Sequence, residues 1–359
     1  MTEEHRTRVI HQRYEDPIAL IWRVALERLG FRLGRSNEVH ASYDGRGTLW
    51  IGHEDLLDAD DHLGQMIFHE LCHALVEGDL GAKAPDWGLD NTRPGTSWRE
   101  HACLRTQAAL AGEFGLRAFM APTTDYRLSF WDKLADNPLD PVAGDPEKSI
   151  VAARLALRRF TTPRWQGPLG DALGQTAALA RTLQALENPT GKNATATTLW
   201  HRVEPPPARH PAGHSTLAPW ARHQRCEHCA WFDHRGPTGN CRHAPRRRLD
   251  PKLPACTRFE DRQLVACGRC GACCREAYDT VEVAGSDPVR KIHPDLIERQ
   301  GSRYRLRREG SRCAALAGHP DQGTDYSCRI YPQRPKTCRD FALYGAHCLT
   351  ARQRLGLSL

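Results

Sequence analysis

No stretch of this chain approaches the ~20 consecutive apolar residues that a membrane-spanning helix needs. Its first residues, MTEEHRTRVIHQRYEDP, lack the apolar segment of a secretory signal, so the expected location is the cytoplasm, without membrane contact. Cysteine is nearly missing from the first 200 of the 359 residues, where only Cys72 and Cys103 occur. The other twelve of its fourteen cysteines fall between Cys226 and Cys348. In a reducing compartment so dense a group points to metal or redox chemistry instead of disulfides. Hydrophobic residues make up 40% and charged ones 26%, which excludes a largely disordered chain and leaves room for two or three domains.

Acidic excess is confined to one half. Residues 1–200 carry 22 Lys and Arg against 27 Asp and Glu, a balance of −5, while the remainder carries 28 against 16, a balance of +12. A basic C-terminal half can meet nucleic acid, or it can offset thiolates, four of which around a divalent ion leave a charge of −2. The second reading is preferred and nucleic acid is the lesser partner. No stacking aromatics interleave with the basic run Arg246-Arg247-Arg248, which reads as a solvated loop.

Apolar periodicity predicts a helix over 17–29, where Pro17 suits the first turn and Gly30 the stop. A hairpin is expected where 38–43 and 48–52 flank Asp44-Gly45-Arg46-Gly47. Asp60 or Asp61 is expected to cap a helix from 62 to 77 that ends at Gly78. Thr96 or Ser97 should cap a helix from 98 to 114, and Glu100, three residues after Ser97, fits a capping box. Two more helices are expected over 145–160 and 168–187. From 191 to 219 the composition turns to Thr, Ala, Pro and His, as in an inter-domain linker.

The second of these helices carries His69-Glu70-Leu71-Cys72-His73. Residues i and i+4 share a helix face, so His69 and His73 can place two imidazoles on one Zn²⁺, with Glu70 as the general base. A strand-like segment, 48–52, precedes the motif. This order resembles the zincin metallopeptidases over about residues 38–115, and the gluzincin branch best, since His73 is followed by Ala-Leu-Val-Glu-Gly-Asp and not by a third histidine. The resemblance implies a peptide or protein substrate and a third ligand from a later helix. Glu100 is the first choice, His101 the second and Asp90 the third. His101 and Tyr126 are the candidates for stabilising a tetrahedral intermediate. Cys72 and Cys103 read as small buried residues.

Two cysteine blocks follow. Cys226, Cys229, Cys241 and Cys256 have the spacing C-x2-C-x11-C-x14-C, which closes either a zinc site or an iron–sulfur site. His228, His234 and His243 are possible substitutes, and Trp231, Phe232 and Phe259 are available to pack around the metal. The second block opens with Cys267, Cys270, Cys273 and Cys274 and continues with Cys313, Cys328, Cys338 and Cys348. CxxCxxCC, followed by Cys328-Arg-Ile-Tyr331-Pro-Gln-Arg334-Pro335-Lys-Thr-Cys338-Arg339-Asp-Phe341, resembles the zinc- or iron-chelating CxxCxxCC cysteine-cluster (YkgJ-like) family. The resemblance runs from about 265 to 348 and implies a metal-binding domain. Adjacent Cys273 and Cys274 diverge in most backbone conformations, so they are expected to serve two ions or to bridge them. Arg334 and Arg339 are expected near thiolate sulfur, or in surface pairs, and Tyr331 and Phe341 in the core.

The expected class is α+β: a zincin-like HExxH domain (1–135) with a mainly helical extension (136–190), a Pro-rich linker (191–220), a four-Cys module (221–262) and a CxxCxxCC domain (263–359). The expected cofactors are Zn²⁺ at the HExxH site and Zn²⁺, iron or an iron–sulfur cluster in the Cys-rich part. Two functions compete: a zinc metallohydrolase of the peptidase kind with metal-binding modules, or a redox or metal-handling protein whose zincin-like domain is not catalytic.

Overall fold

A computed structural model of the chain describes residues 12, 14–90, 95–184, 198–217, 221 and 223–359. Its first element is α1 (Pro17–Arg28), capped by Asp16, whose carboxylate accepts from the amides of Ile18 and Ala19 at 2.9 and 3.0 Å. Strands β1 (Arg32–Ser36), β2 (Ala41–Tyr43) and β3 (Thr48–Gly52) follow. The expected hairpin is β2–β3, with Tyr43 opposite Leu49. The sheet order is β1-β3-β2, and β1, absent from the expectations, lies parallel to β3. Its sequence, Arg-Leu-Gly-Arg-Ser, has one apolar side chain and therefore no alternation to read.

The HExxH segment lies on α2 (Leu63–Gly81). Its cap is His62, not Asp60 or Asp61: the His62 Nδ1 accepts from the Gln65 amide at 3.1 Å. Asp61 instead accepts from the Asp58 amide and the Thr123 hydroxyl. The regular helix breaks at Gly78, as expected, with φ 62° and ψ −156°, a conformation open essentially to glycine alone. The carbonyls left free there are met from outside, for Arg159 donates to Leu75 and Val76.

Then come α3 (Ser97–Gly112), the single turn α4 (Tyr126–Ser129), α5 (Glu147–Phe160) and α6 (Pro163–Gln184). Ser97 is the first helical residue and no side chain caps α3, so Glu100 closes no capping box. The helical extension completes the front domain. Helix α5 packs against α2 and α3, and α6 against α1, where the Trp22 indole donates to Thr176 Oγ1 at 3.1 Å. One apolar core unites Trp22, Phe68, Leu71, Ile150, Leu169 and Leu173. Helix α2 is buried on nearly every side within it.

Residues 191–197 and 218–220 of the expected linker lie outside the described residues. The stretch 198–217 is packed instead of free. Trp200 stacks on Phe119 at 4.9 Å, the Glu204 amide donates to Gly115, and Arg209 and Ser215 both reach Glu113. Next is an antiparallel sheet of β4 (Phe232–Arg235), β5 (Thr238–Cys241) and β6 (Ala244–Leu249). Arg246, Arg247 and Arg248 are exposed as expected, but on strand β6 and not on a loop.

The rest is built from short pieces: α7 (Cys267–Cys270), β7 (Glu282–Val283), α8 (Val289–Ile292), β8 (Ile297–Gln300), β9 (Arg303–Leu306), β10 (Arg308–Glu309), β11 (Arg312–Cys313), β12 (Leu316–His319), β13 (Thr324–Cys328), α9 (Lys336–Arg339) and α10 (Ala346–Arg354). Strands β7, β9 and β8 form one small sheet, and β10–β11 and β12–β13 are hairpins. The class is α+β. No described helix is long and apolar enough to cross a membrane.

Candidate metal centres

Helices α2 and α3 bring three ligand-type side chains to one point. His69 Nε2 and His73 Nε2 are 3.2 Å apart. One Glu100 oxygen is 3.4 Å from His69 Nε2 and the other 3.2 Å from His73 Nε2. A tetrahedral zinc with bonds of about 2.0–2.1 Å holds its donors about 3.3 Å apart, so the triangle has the right size. His73 and Glu100 are buried, while the His69 side chain keeps 22% exposure and opens the site to solvent. Burial alone would raise the Glu100 carboxyl, but His73 and His69 outweigh it and hold it down to about 2. Burial would likewise lower His73, and Glu100 reverses that and raises it.

The nitrogen of His69 that faces this triangle is set from behind. Its Nδ1 lies 2.8 Å from Gln107 Oε1, and the Gln107 amide nitrogen donates to the Met120 carbonyl. That orientation makes Gln107 the acceptor and His69 Nδ1 the donor, which frees Nε2 as a ligand. Sequence reasoning missed Gln107. Its signal was there: on α3 it lies seven residues after Glu100, on the same face.

His69, His73 and Cys103 also offer donor atoms within 4.8 Å of one another. The Cys103 sulfur, however, is on the Nδ1 side of His69, 3.8 Å from that atom, and its thiol donates to the His69 carbonyl at 3.4 Å. Burial pushes the Cys103 and Cys72 thiols up, as suits small buried residues. Glu70 is buried, and one of its oxygens accepts from the Trp87 indole at 2.7 Å.

The second-choice ligand, His101, is turned elsewhere, with its Nδ1 2.7 Å from Asp145 and its ring stacked on Phe130 at 3.8 Å. Arg105 and Ser149 also hold Asp145. The Tyr126 ring meets His101 edge-on at 6.0 Å, and Glu100 senses His101 just as Tyr126 senses Glu100. Asp90 accepts from Thr96 through its backbone carbonyl.

All fourteen cysteines are free thiols. Cys226, Cys229, Cys241 and Cys256 are buried around one cavity, with Trp231 and Phe232 behind them. Burial, and then the neighbouring thiols, raise them, Cys226 and Cys256 to about 12 and Cys229 to about 11. Of the substitute histidines only His243 lines this cavity, since His228 and His234 are exposed. His210, from the expected linker, was missed. It also lines the cavity, with Nε2 3.4 Å from Cys226 Sγ.

The remaining eight cysteines divide between two neighbourhoods. Cys274, Cys313, Cys328 and Cys338 share an apolar cluster with Val283, Val289, Leu296, Leu306 and Ile330. Cys270 and Cys273 pack with Ala272, Ala277 and Ala351, Cys267 lies beside both, and Cys348 lies beside Cys270 and Cys267. The two clusters meet at adjacent Cys273 and Cys274, whose sulfurs are 3.9 Å apart, and Cys313 and Cys338 sense Cys273 as well. The contact between the adjacent sulfurs lowers Cys273 to about 7 and raises Cys274.

Arg334 and Arg339 donate to the backbone carbonyls of Tyr331 and Arg334, not to sulfur, but the Arg334 charge acts on Cys267 and Cys338, and Arg339 pairs with Asp287 at 3.5 Å. Arg352 of α10 lies beside Cys270, and its charge is also held by Glu260. Tyr331 is 62% exposed, against the expectation of a core residue, and carries the Arg334 guanidinium over its ring.

These thiol groups define a cysteine-cluster metal-binding protein. Residues 266–354 match the CxxCxxCC family model, described as "Putative zinc- or iron-chelating domain". The chain is also similar to "Uncharacterized protein YkgJ" of Escherichia coli O157:H7, 34% identical over 106 residues, which cover 26% of this chain and 95% of that protein. Through this part the chain belongs to the CxxCxxCC zinc- or iron-chelating family, and it binds metal. No solved structure matches it.

Proposed function

We propose that the chain joins a zinc-dependent hydrolase of the peptidase kind to its cysteine metal centres. The Nε2 atoms of His69 and His73, 3.2 Å apart and each 3.2–3.4 Å from a different oxygen of Glu100, carry this reading. These three residues would hold the zinc, which supplies a Lewis acid and a water acidic enough to ionise near neutral pH. Glu70 is the proton acceptor of the chain, its carboxylate fixed by the Trp87 indole. His101, oriented by Asp145, and Tyr126, which meets it edge-on, would be the donors to an oxyanion. Peptide or protein substrates would approach across the partly exposed His69 edge of the site.

Glu70→Gln should keep zinc, measured by elemental mass spectrometry, and lose at least 100-fold in cleavage of a fluorogenic peptide library. Full turnover in that variant removes Glu70 from the chemistry. A front domain that takes up no zinc removes the hydrolase.

The Trp87–Glu70 bond favours a second reading. If that indole holds the carboxylate out of reach of a water, the front domain is a non-catalytic scaffold for metal handling or redox work by the cysteine half. Trp87→Phe then distinguishes the two, because freeing the carboxylate would raise turnover only if the indole restrains it.

A further inference from the structure

We propose that Cys226, Cys229, Cys241 and Cys256 together hold one zinc ion, with the ring N–H of His210 donating to the Cys226 thiolate. The four cysteines lie outside the 266–354 family match, and the proposal rests on the reading of the cysteines as metal centres but not on the hydrolase.

Size is the first ground. All four cysteines are buried and border a single hole. Once open solvent is left out, that hole is about 10 Å³, room for one water-sized body. It admits one ion and not an iron–sulfur core of several atoms. Around such a hole the sulfurs stand wider than the roughly 3.8 Å that zinc–sulfur bonds of about 2.3 Å impose. No three of them lie within 4.8 Å of one another, so loading draws them inward. The chain can follow, because only Cys241 stands on a strand, at the end of β5. Cys226 and Cys229 share a single turn, and Cys256 lies on a loop.

The donor set is the second ground. Among the described residues no carboxylate lines the hole, so calcium and magnesium, which take oxygen ligands, find none there. Thiolates suit zinc, which also stands above ferrous iron in the general order of affinities. Four thiolates around a dication leave a charge of −2 between the apolar rings of Phe232 and Phe259. Arg258, also in the wall, acts on Cys256 and offsets part of that charge. The amides of Trp231, His243 and Arg258 face the sulfurs of Cys229, Cys241 and Cys256, and such donors favour a thiolate over a neutral thiol.

The third is the proton on His210. The Ala212 amide donates to His210 Nδ1 at 2.9 Å, so the ring proton sits on Nε2, 3.4 Å from Cys226 Sγ. A nitrogen that carries a proton is not a ligand. His210 is therefore a positioning residue, which orients the thiolate and supplies the donor that the other three receive from backbone amides. His243 lines the same hole with Nε2 buried and without a hydrogen-bond partner, and it is the rival for one thiolate's place.

The test uses the full chain, purified under reducing conditions without oxygen. The paired variant Cys241→Ser/Cys256→Ser should lose one zinc per chain relative to the unaltered protein, with iron and acid-labile sulfide unchanged. Loss of iron or sulfide overturns the proposal. So does unchanged zinc, which would leave the centres of the eight later cysteines standing. Because that variant can fail to fold, Cys241→His, which keeps a ligand, is compared with the unaltered chain after loading with cadmium. One cadmium resonance should move from the four-sulfur range to that of three sulfurs and one nitrogen. An unmoved set in a folded sample overturns the site, and a resonance already in the second range before substitution gives one place to His243 and overturns the four-thiol set. His210→Phe should weaken zinc binding about tenfold and shift the sulfur-to-metal charge-transfer band of the cobalt-loaded chain. His210→Gln, which keeps an N–H toward the sulfur, should restore both, and equal spectra in all three chains remove His210 from the site. Peptide cleavage, and zinc at His69 and His73, bear only on the hydrolase.

Discussion

Gln107 engages Nδ1 of His69 and leaves Nε2 toward His73 and Glu100, and its own amide is oriented by Met120. Gln107→Leu removes the acceptor and should weaken zinc binding at the front site about 10- to 100-fold. Gln107→Glu keeps an acceptor toward Nδ1 and should retain most of the affinity, both being read by competition with a chromophoric chelator. Equal affinity in the leucine variant would show that His69 needs no such support. His62 carries a different prediction. It caps α2 only while Nδ1 is unprotonated, and burial lowers its pKa to about 4 from the ordinary 6.5. Protonation therefore favours the unfolded chain between these values. The contribution is complete above pH 6.5, declines as pH falls toward 4 and changes no further below it. It amounts to about 3 kcal/mol over that window. Urea unfolding of His62→Asn, which keeps a capping acceptor, should lack this component, and superimposable pH profiles would dismiss it. Glu100 shows what a sequence can mislead about: the spacing that suggested a capping box is real, but the carboxylate points to the histidines.

At the scale of elements, the short run α7 and the residues after it put Cys273 and Cys274 in different apolar clusters, as two centres would require. Cys273→Ser should make Cys267, Cys270 and Cys348 reactive toward iodoacetamide, while Cys274→Ser should expose Cys313, Cys328 and Cys338. Mass spectrometry of the alkylated protein reads the two patterns, and identical patterns would mean one shared centre. Divergence of these adjacent side chains was legible beforehand, because neighbouring residues rarely point the same way. The helices were legible for a similar reason: α1, α2, α3 and α5 bury apolar faces at helical spacing. Strands β4 to β6 were not. β6 reads Ala-Pro-Arg-Arg-Arg-Leu, with four consecutive exposed positions, so neither face shows alternation. Its sheet is held by thiol-bearing loops as much as by apolar packing. His210 was hidden because a Pro- and His-rich stretch has the composition of a linker, and only tertiary contact with Cys226 reveals its place.

Across the whole molecule, the two halves are stabilised by different means. The front half has a continuous core in which Trp22, Phe68, Leu71 and Leu173 are fully buried, each worth about 1.5–3 kcal/mol or more. Behind it, the apolar clusters are small, and cysteines form much of their substance. So little apolar surface does not hold a chain of short strands and single turns together, and metal binding must supply folding free energy there. The halves touch through α10 on α5, through Arg154 with the Leu357 carbonyl, and through Leu359 against the front core. Stripping metal with a strong chelator under reducing conditions should therefore unfold residues 223–359 selectively. Amide exchange there should rise toward that of an unfolded chain, while α1, α2 and α6 keep their protection. Helix α5 is the exception within the front half: losing α10 and Leu359 uncovers one of its sides, and its exchange should rise modestly. Thermal melting should change from a high to a low transition for the rear half only. Unchanged exchange across 223–359 after complete metal loss would show that this half stands on packing alone, and the thiols would then have to be explained without an ion.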